Sequence, residues 1–268
     1  AKGTKIEIGT DGGGAPLSSG SDAVATAVSL YRGATLELTD AKIYTKGRYT
    51  QGITLSEQSN LTLNGGSLEV EGNYGILMLY NNSQATLIGT EVNTAETTSS
   101  IVSQQGSTLN ITDGSDITLT SGQLRVVGDT NGNAFLNVSD STVSSTGANS
   151  TVVAANRGIL NIKNSSVTHN NATGAAIEAS SASTLNVFGD DKSPMSVNSK
   201  GVGVKGIASS VEINGATITA DDDGILMTSQ GKSSWYDDTN ALTVNNADVT
   251  SKNAAALHVD SKTNINDP

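Results

Sequence analysis

The sequence predicts an all-β solenoid, a parallel β-helix of about ten coils with three strands in each, and three observations carry that prediction. Aliphatic anchors recur with a period near 25 residues along the whole 268-residue chain. Ser, Thr, Asn and Gly together supply 120 of the 268 residues, a turn-rich β composition in which only 35% of residues are hydrophobic. β-branched residues are abundant and apolar residues at 3.6-residue spacing are missing, which sets aside the helical repeats of similar period.

The anchors are Ile6, Leu36, Leu61, Leu87, Leu109, Leu136, Leu160, Leu185, Val211, Leu242 and Ile265. A fuller template has aliphatic residues at offsets 0, 2 and 7 with Asp, Asn or Gly at offset 4. Leu36-Leu38-Asp40-Ile43, Leu61-Leu63-Gly65-Leu68, Leu136-Val138-Asp140-Val143, Leu160-Ile162-Asn164-Val167, Val211-Ile213-Gly215-Ile218 and Leu242-Val244-Asn246-Val249 fit it fully. Offsets 0 and 2 face one side of a strand, and Asp, Asn or Gly at offset 4 tolerates the left-handed backbone of a corner. The aliphatic at offset 7 then points inward from a second strand. A third strand precedes the next anchor, as in Ile53-Thr54-Leu55, Val152-Val153, Val202-Gly203-Val204 and Leu257-His258-Val259. Coils pair about 4.8 Å apart, so ten intervals predict a rod of roughly 48 Å. Such a solenoid needs only a thin apolar column, which accounts for the low hydrophobic content.

Departures from the period become surface loops, where solenoids often bind. The first interval holds the glycine-rich stretch 9–21. The interval from Val211 to Leu242 carries Trp235, the sole tryptophan, followed by Tyr236, Asp237 and Asp238. Exposing that tryptophan has no packing return unless it meets a ligand or folds over the rod, so Trp235, Tyr236, Asp237 and Asp238 form one candidate binding loop. Asp190-Asp191-Lys192-Ser193-Pro194 makes a smaller bulge. Residues 1–268 read as one β-helical domain, and Ile265 is followed by three residues with no polar cap, as expected of a fragment cut in mid-coil.

Ser107-Thr108-Leu109-Asn110-Ile111 and Ser183-Thr184-Leu185-Asn186-Val187 resemble the passenger region of Gram-negative autotransporters of the pertactin type. Gly52-Ile53-Thr54-Leu55, Gly75-Ile76-Leu77-Met78 and Gly224-Ile225-Leu226-Met227 are similar to the strands that precede the anchor in that family. The resemblance covers nearly the whole chain. It implies a right-handed parallel β-helix displayed on, or released from, a bacterial surface, with the family's outer-membrane barrel absent from this chain. The lack of cysteine suits a chain threaded unfolded across two membranes.

A net charge of -11 and four scattered arginines leave no footprint for nucleic acid. Apolar runs of about five residues are too short to span a bilayer as a helix, so no direct membrane insertion is expected of this chain. The absence of Cys and the wide separation of His169 and His258 argue against a metal centre, and nothing calls for a cofactor. Gly-Asp-Ser-Gly and Gly-x-Ser-x-Gly motifs are missing, and neither histidine has a triad partner evident in sequence. Asp221-Asp222-Asp223-Gly224 resembles the aspartate pair of polygalacturonases, yet that family's Asn-Thr-Asp, Gly-His-Gly and Arg-Ile-Lys motifs are not found. The three aspartates then read as a solvated corner, with calcium there, at Asp190-Asp191 or at Asp237-Asp238 as the alternative.

The residue after the anchor points outward and is asparagine in four consecutive repeats, Asn110, Asn137, Asn161 and Asn186. Stacked coils align these into an amide ladder that either stabilises the sheet or zips against a second copy. Tyr44, Tyr49, Tyr74 and Tyr80 form a possible glycan-stacking patch. The chain is therefore expected to be a non-catalytic adhesin at the bacterial cell surface or secreted. Its expected partner is a host extracellular matrix protein, a surface glycan, or another copy of itself on a neighbouring cell. A polysaccharide-binding or polysaccharide-cleaving β-helix, such as a tailspike or lyase, is the alternative, and a structural stalk is the plainest one.

Overall fold

The computed structural model describes residues 2–8, 25–47, 50–72, 75–94, 100–130, 132–190, 195–229, 240–260 and 263–266. Within them every regular element is a strand, and the strands form three parallel sheets of ten. The first sheet begins with Lys5–Ile8, the second with Ala25–Leu30 and the third with Thr35–Thr39. Each later coil adds one strand to every sheet in the same order. The chain is an all-β parallel solenoid with three strands per turn.

Two kinds of corner produce this winding. The corner from the third sheet to the first uses the offset-4 residue. Asp40, Gly65, Asp140, Asn164, Gly215 and Asn246 all hold φ between 47° and 67°, the left-handed region their side chains tolerate. The corner from the second sheet to the third uses two successive left-handed residues, as at Glu57-Gln58, Asn81-Asn82, Gln105-Gly106 and Asn156-Arg157. Backbone bonds between coils hold these strained residues. Gln58 N donates to Asn81 O at 3.0 Å and Asn82 N to Gln105 O at 2.9 Å. A buried serine follows the first three of these pairs, at Ser59, Ser83 and Ser107. Ser59 N donates to Ser83 Oγ at 3.3 Å and Ser83 N to Ser107 Oγ at 3.2 Å. The serine of the Ser-Thr-Leu signature is thus an internal clip, while its threonine faces out.

The core is a set of inward columns rather than a ball. Leu109, Leu136, Leu160 and Leu185 stack in one, and Ile117, Val143, Val167 and Val197 in another, all fully buried. Because each coil shields only its neighbours, small apolar side chains suffice, and the fold closes with few aromatic residues.

The register corrects two sequence expectations. Leu61 pairs with Ala85 and Leu63 with Leu87, so the anchor of that coil is Ala85 and Leu87 is its offset-2 residue. Ile6 pairs with Ile43 and belongs to the first sheet, not to the anchor column. Leu124–Val127 is the second-sheet strand of its coil and pairs with Ile101–Gln104.

Candidate functional site

Asn110, Asn137, Asn161 and Asn186 occupy the central outward position of Thr108–Thr112, Phe135–Ser139, Ile159–Lys163 and Thr184–Phe188 and stand in direct register. A buried leucine before each asparagine and a buried isoleucine or valine after it turn its amide to the outer face in the strand alternation. The amides form a continuous hydrogen-bonded ladder. Asn137 Nδ2 donates to Asn110 Oδ1 at 2.9 Å, Asn161 Nδ2 to Asn137 Oδ1 at 2.8 Å, and Asn186 Nδ2 to Asn161 Oδ1 at 2.8 Å. All three bonds run the same way, so each polarises the next. An amide has two N–H donors and two carbonyl lone pairs. Asn137 and Asn161 each spend one of either kind within the ladder, leaving one donor and one acceptor per coil for a partner or solvent.

The column ends for a chemical reason. Glu212 lies in register beyond Asn186, and an ionised carboxylate has no proton to donate to Asn186 Oδ1. Thr86 lies at the other end, below Asn110. Along one flank of the ladder Lys163 Nζ sits 5.8 Å from the ring centroid of Phe188, which is exposed.

The remaining sequence candidates separate in space. Trp235, Tyr236, Asp237 and Asp238 lie outside the described residues, as do Tyr49 and Tyr74. Tyr44 and Tyr80 do not form one patch. Tyr44, on the first sheet, donates to Glu71 Oε1 at 3.0 Å, and Lys46 Nζ lies 2.9 Å from Glu71 Oε2. Tyr80 lies instead next to the corner between the second and third sheets, after Leu77–Leu79.

Residues 221–223 are not a uniformly solvated corner. Asp223 is only 7% exposed because its carboxylate is built into the next coil. Its Oδ1 accepts the Ala255 N–H at 3.1 Å and its Oδ2 lies 2.8 Å from His258 Nδ1. That hydrogen bond and the charge of Asp223 raise the His258 pKa above its ordinary 6.5. Asp221 pairs with Lys252 across the same two coils. His169 is a core residue, with Nδ1 bonded to Thr151 Oγ1 at 2.9 Å and Nε2 to the Thr173 carbonyl at 2.6 Å. Burial lowers its pKa. A hydroxyl–imidazole pair of this kind is no nucleophile, since Thr151 is fully buried and the second ring nitrogen meets a carbonyl rather than a carboxylate. Among the described residues no group of three or more His, Asp or Glu is placed to hold a metal ion.

One feature was not legible in the sequence. A cavity of about 340 Å³ opens on the corner between the second and third sheets, lined by amide side chains from three successive coils. Compared with protein-family models, curated proteins and solved structures, the chain matches none.

Proposed function

We propose that the chain is a non-catalytic adhesin of the bacterial surface that associates with further copies of itself on neighbouring cells. The observation that supports this reading is the amide ladder with its unspent donors and acceptors. Unspent groups at the coil spacing of about 4.8 Å match an identical column on a second rod, so two ladders zip with one bond or more per coil. Each bond in water contributes only about 0.5–1.5 kcal/mol, and the contact becomes firm through repetition along the rod and across many rods on a cell. The passenger-like sequence pattern gives the same direction, as an analogy of architecture. Attachment to a host matrix protein or surface glycan is the neighbouring reading, and a plain stalk is the outcome if the face is inert.

The test is display of the chain on a non-aggregating bacterium, with settling of the culture as the readout. Clumping that falls when Asn110, Asn137, Asn161 and Asn186 are changed together to Ser supports the proposal. Equal settling by a folded, equally displayed variant refutes it.

A further inference from the structure

The connection from the second sheet to the third is two to four residues long in most coils, and it is longer in two, after Leu124–Val127 and after Ile225–Thr228. Three residues connect Ile101–Gln104 to Thr108–Thr112, and three connect Val152–Ala155 to Ile159–Lys163. Seven connect Leu124–Val127 to Phe135–Ser139. Within this connection Asp129 and Gly132 close on each other. Asp129 N donates to Gly132 O at 3.1 Å, and Gly132 N donates to Asp129 Oδ1 at 3.0 Å. This connection walls one side of the cavity of about 340 Å³, and the stacked turns Asn81-Asn82 and Gln105-Gly106 make its floor.

The lining is unusual for what it leaves unpaired. Asn81 is committed to Ser56 Oγ at 3.0 Å, but the side-chain amides of Asn82, Gln105 and Asn133 make no hydrogen bond among the described residues. The floor is shaped around one of them. A Cβ on Gly106 would lie 2.1 Å from Asn82 Oδ1, so only glycine lets that amide lie in the cavity. The register of Leu30, Leu55 and Leu79 places Tyr31, Ser56 and Tyr80 in one column, and Tyr80 directly precedes the cavity residue Asn81. Tyr31 is half exposed, and its proximity adds to burial in raising the pKa of the Tyr80 hydroxyl.

We infer that this corner is a binding site for a neutral glycan, independent of the ladder and of self-association. Three amides offer donors and acceptors side by side, which is what sugar hydroxyls, each both donor and acceptor, require. No Lys, Arg or His lines the cavity, Asp129 does, and the chain carries a net charge of -11, so sulfated or phosphorylated ligands are disfavoured. The volume is at the lower end of small-molecule sites, about 300–1,000 Å³, sufficient for a short saccharide unit rather than a buried cofactor. The Tyr31 and Tyr80 rings supply an apolar surface for the C–H face of an adjoining sugar.

The test titrates the full 268-residue chain with lacto-N-neotetraose, maltohexaose and a heparin hexasaccharide, following the side-chain amide resonances of Asn82, Gln105 and Asn133. The expected result is that a neutral oligosaccharide shifts these resonances and the heparin fragment does not. Changing Gln105 and Asn133 together to Ala weakens that binding by about tenfold or more, with unchanged circular dichroism, because both side chains are exposed and unbonded. Binding that leaves the three amides unmoved, equal affinity in the double variant, preference for heparin, or no neutral glycan bound at millimolar concentration would each overturn the proposal. Settling of displaying cells is unaffected by the double variant, so failure of the glycan site and failure of self-association are read separately.

Discussion

His169 accepts the Thr151 hydroxyl proton at Nδ1, 2.9 Å away, while its Nε2–H is held by the Thr173 carbonyl. Both nitrogens are therefore used by the neutral ring, and burial keeps the folded-state pKa below 6.5. Above pH 6.5 the ring is neutral whether the chain is folded or not and contributes no pH dependence. As pH falls below 6.5 the unfolded chain binds a proton that the folded chain resists, so stability declines toward the depressed folded pKa. His258 behaves oppositely. Its pKa is raised by Asp223, with smaller contributions from Asp260 and Asp222, so its stabilisation is complete below pH 6.5 and is lost as pH rises through the folded value. Urea unfolding between pH 5 and 8 is expected to show a flatter acid limb in His169→Gln, measured against its own value at pH 7.5. His258→Gln flattens the limb above pH 6.5 instead. Unchanged limbs in both variants would contradict these assignments.

The ladder makes a graded stability prediction. Asn137→Ala removes two amide bonds, one to Asn110 and one from Asn161, whereas Asn186→Ala removes one. At the lower end of the range for neutral hydrogen bonds, because the column is half exposed, the losses are about 1–2 and about 0.5–1 kcal/mol. Denaturant midpoints in the two single variants measure the ratio. Equal losses would mean that the asparagines act as separate surface residues.

How far the sequence carried this result depended on whether a residue type was diagnostic. Aspartate, asparagine and glycine at offset 4 announce a left-handed corner, and all six full matches to the template adopt it. Ala85 does not announce an anchor, because alanine carries no facial preference of its own, and the eye moves to Leu87 two residues on. The amide ladder was readable because one residue per coil repeats at one offset. The glycan corner was not, because Asn82, Gln105 and Asn133 come from different coils and only an insertion of four residues brings a wall beside them. The signal available was the polar or glycine pair three and four residues before several anchors, such as Asn81-Asn82 before Ala85 and Gln105-Gly106 before Leu109.

Ser103 is fully buried in an inward column between Leu79 and Val126, and its hydroxyl has no hydrogen-bond partner among the described residues. Burying an unpaired hydroxyl costs about 1–3 kcal/mol, which exceeds what the oxygen returns in packing. Ser103→Ala is expected to stabilise the chain by about 1 kcal/mol, or a rise of about 2–4 °C in Tm for a chain of this size. A fall in Tm would show that the oxygen fills space the core needs.

Gly203 marks the opposite case, a site where one methyl group is too much. The chain bends into Val202–Ile207 with Gly203 facing the interior, directly against the next coil. A Cβ there would lie 2.4 Å from the Gly224 carbonyl oxygen and 2.7 Å from Ile218 Cγ2. The first contact is with backbone already bonded across coils, since Val204 N donates to that same carbonyl at 2.9 Å, so relief requires separating the two strands. Gly203→Ala is expected to cost about 3 kcal/mol or more, at the upper end of overpacking losses. Gly132→Ala is the matched control, because a Cβ at that position meets nothing within 4 Å. Thermal unfolding of the two variants decides the point: a large drop for Gly203→Ala with little change for Gly132→Ala follows from coil stacking at carbonyl distance, and equal Tm values would mean that neighbouring coils yield to a methyl group.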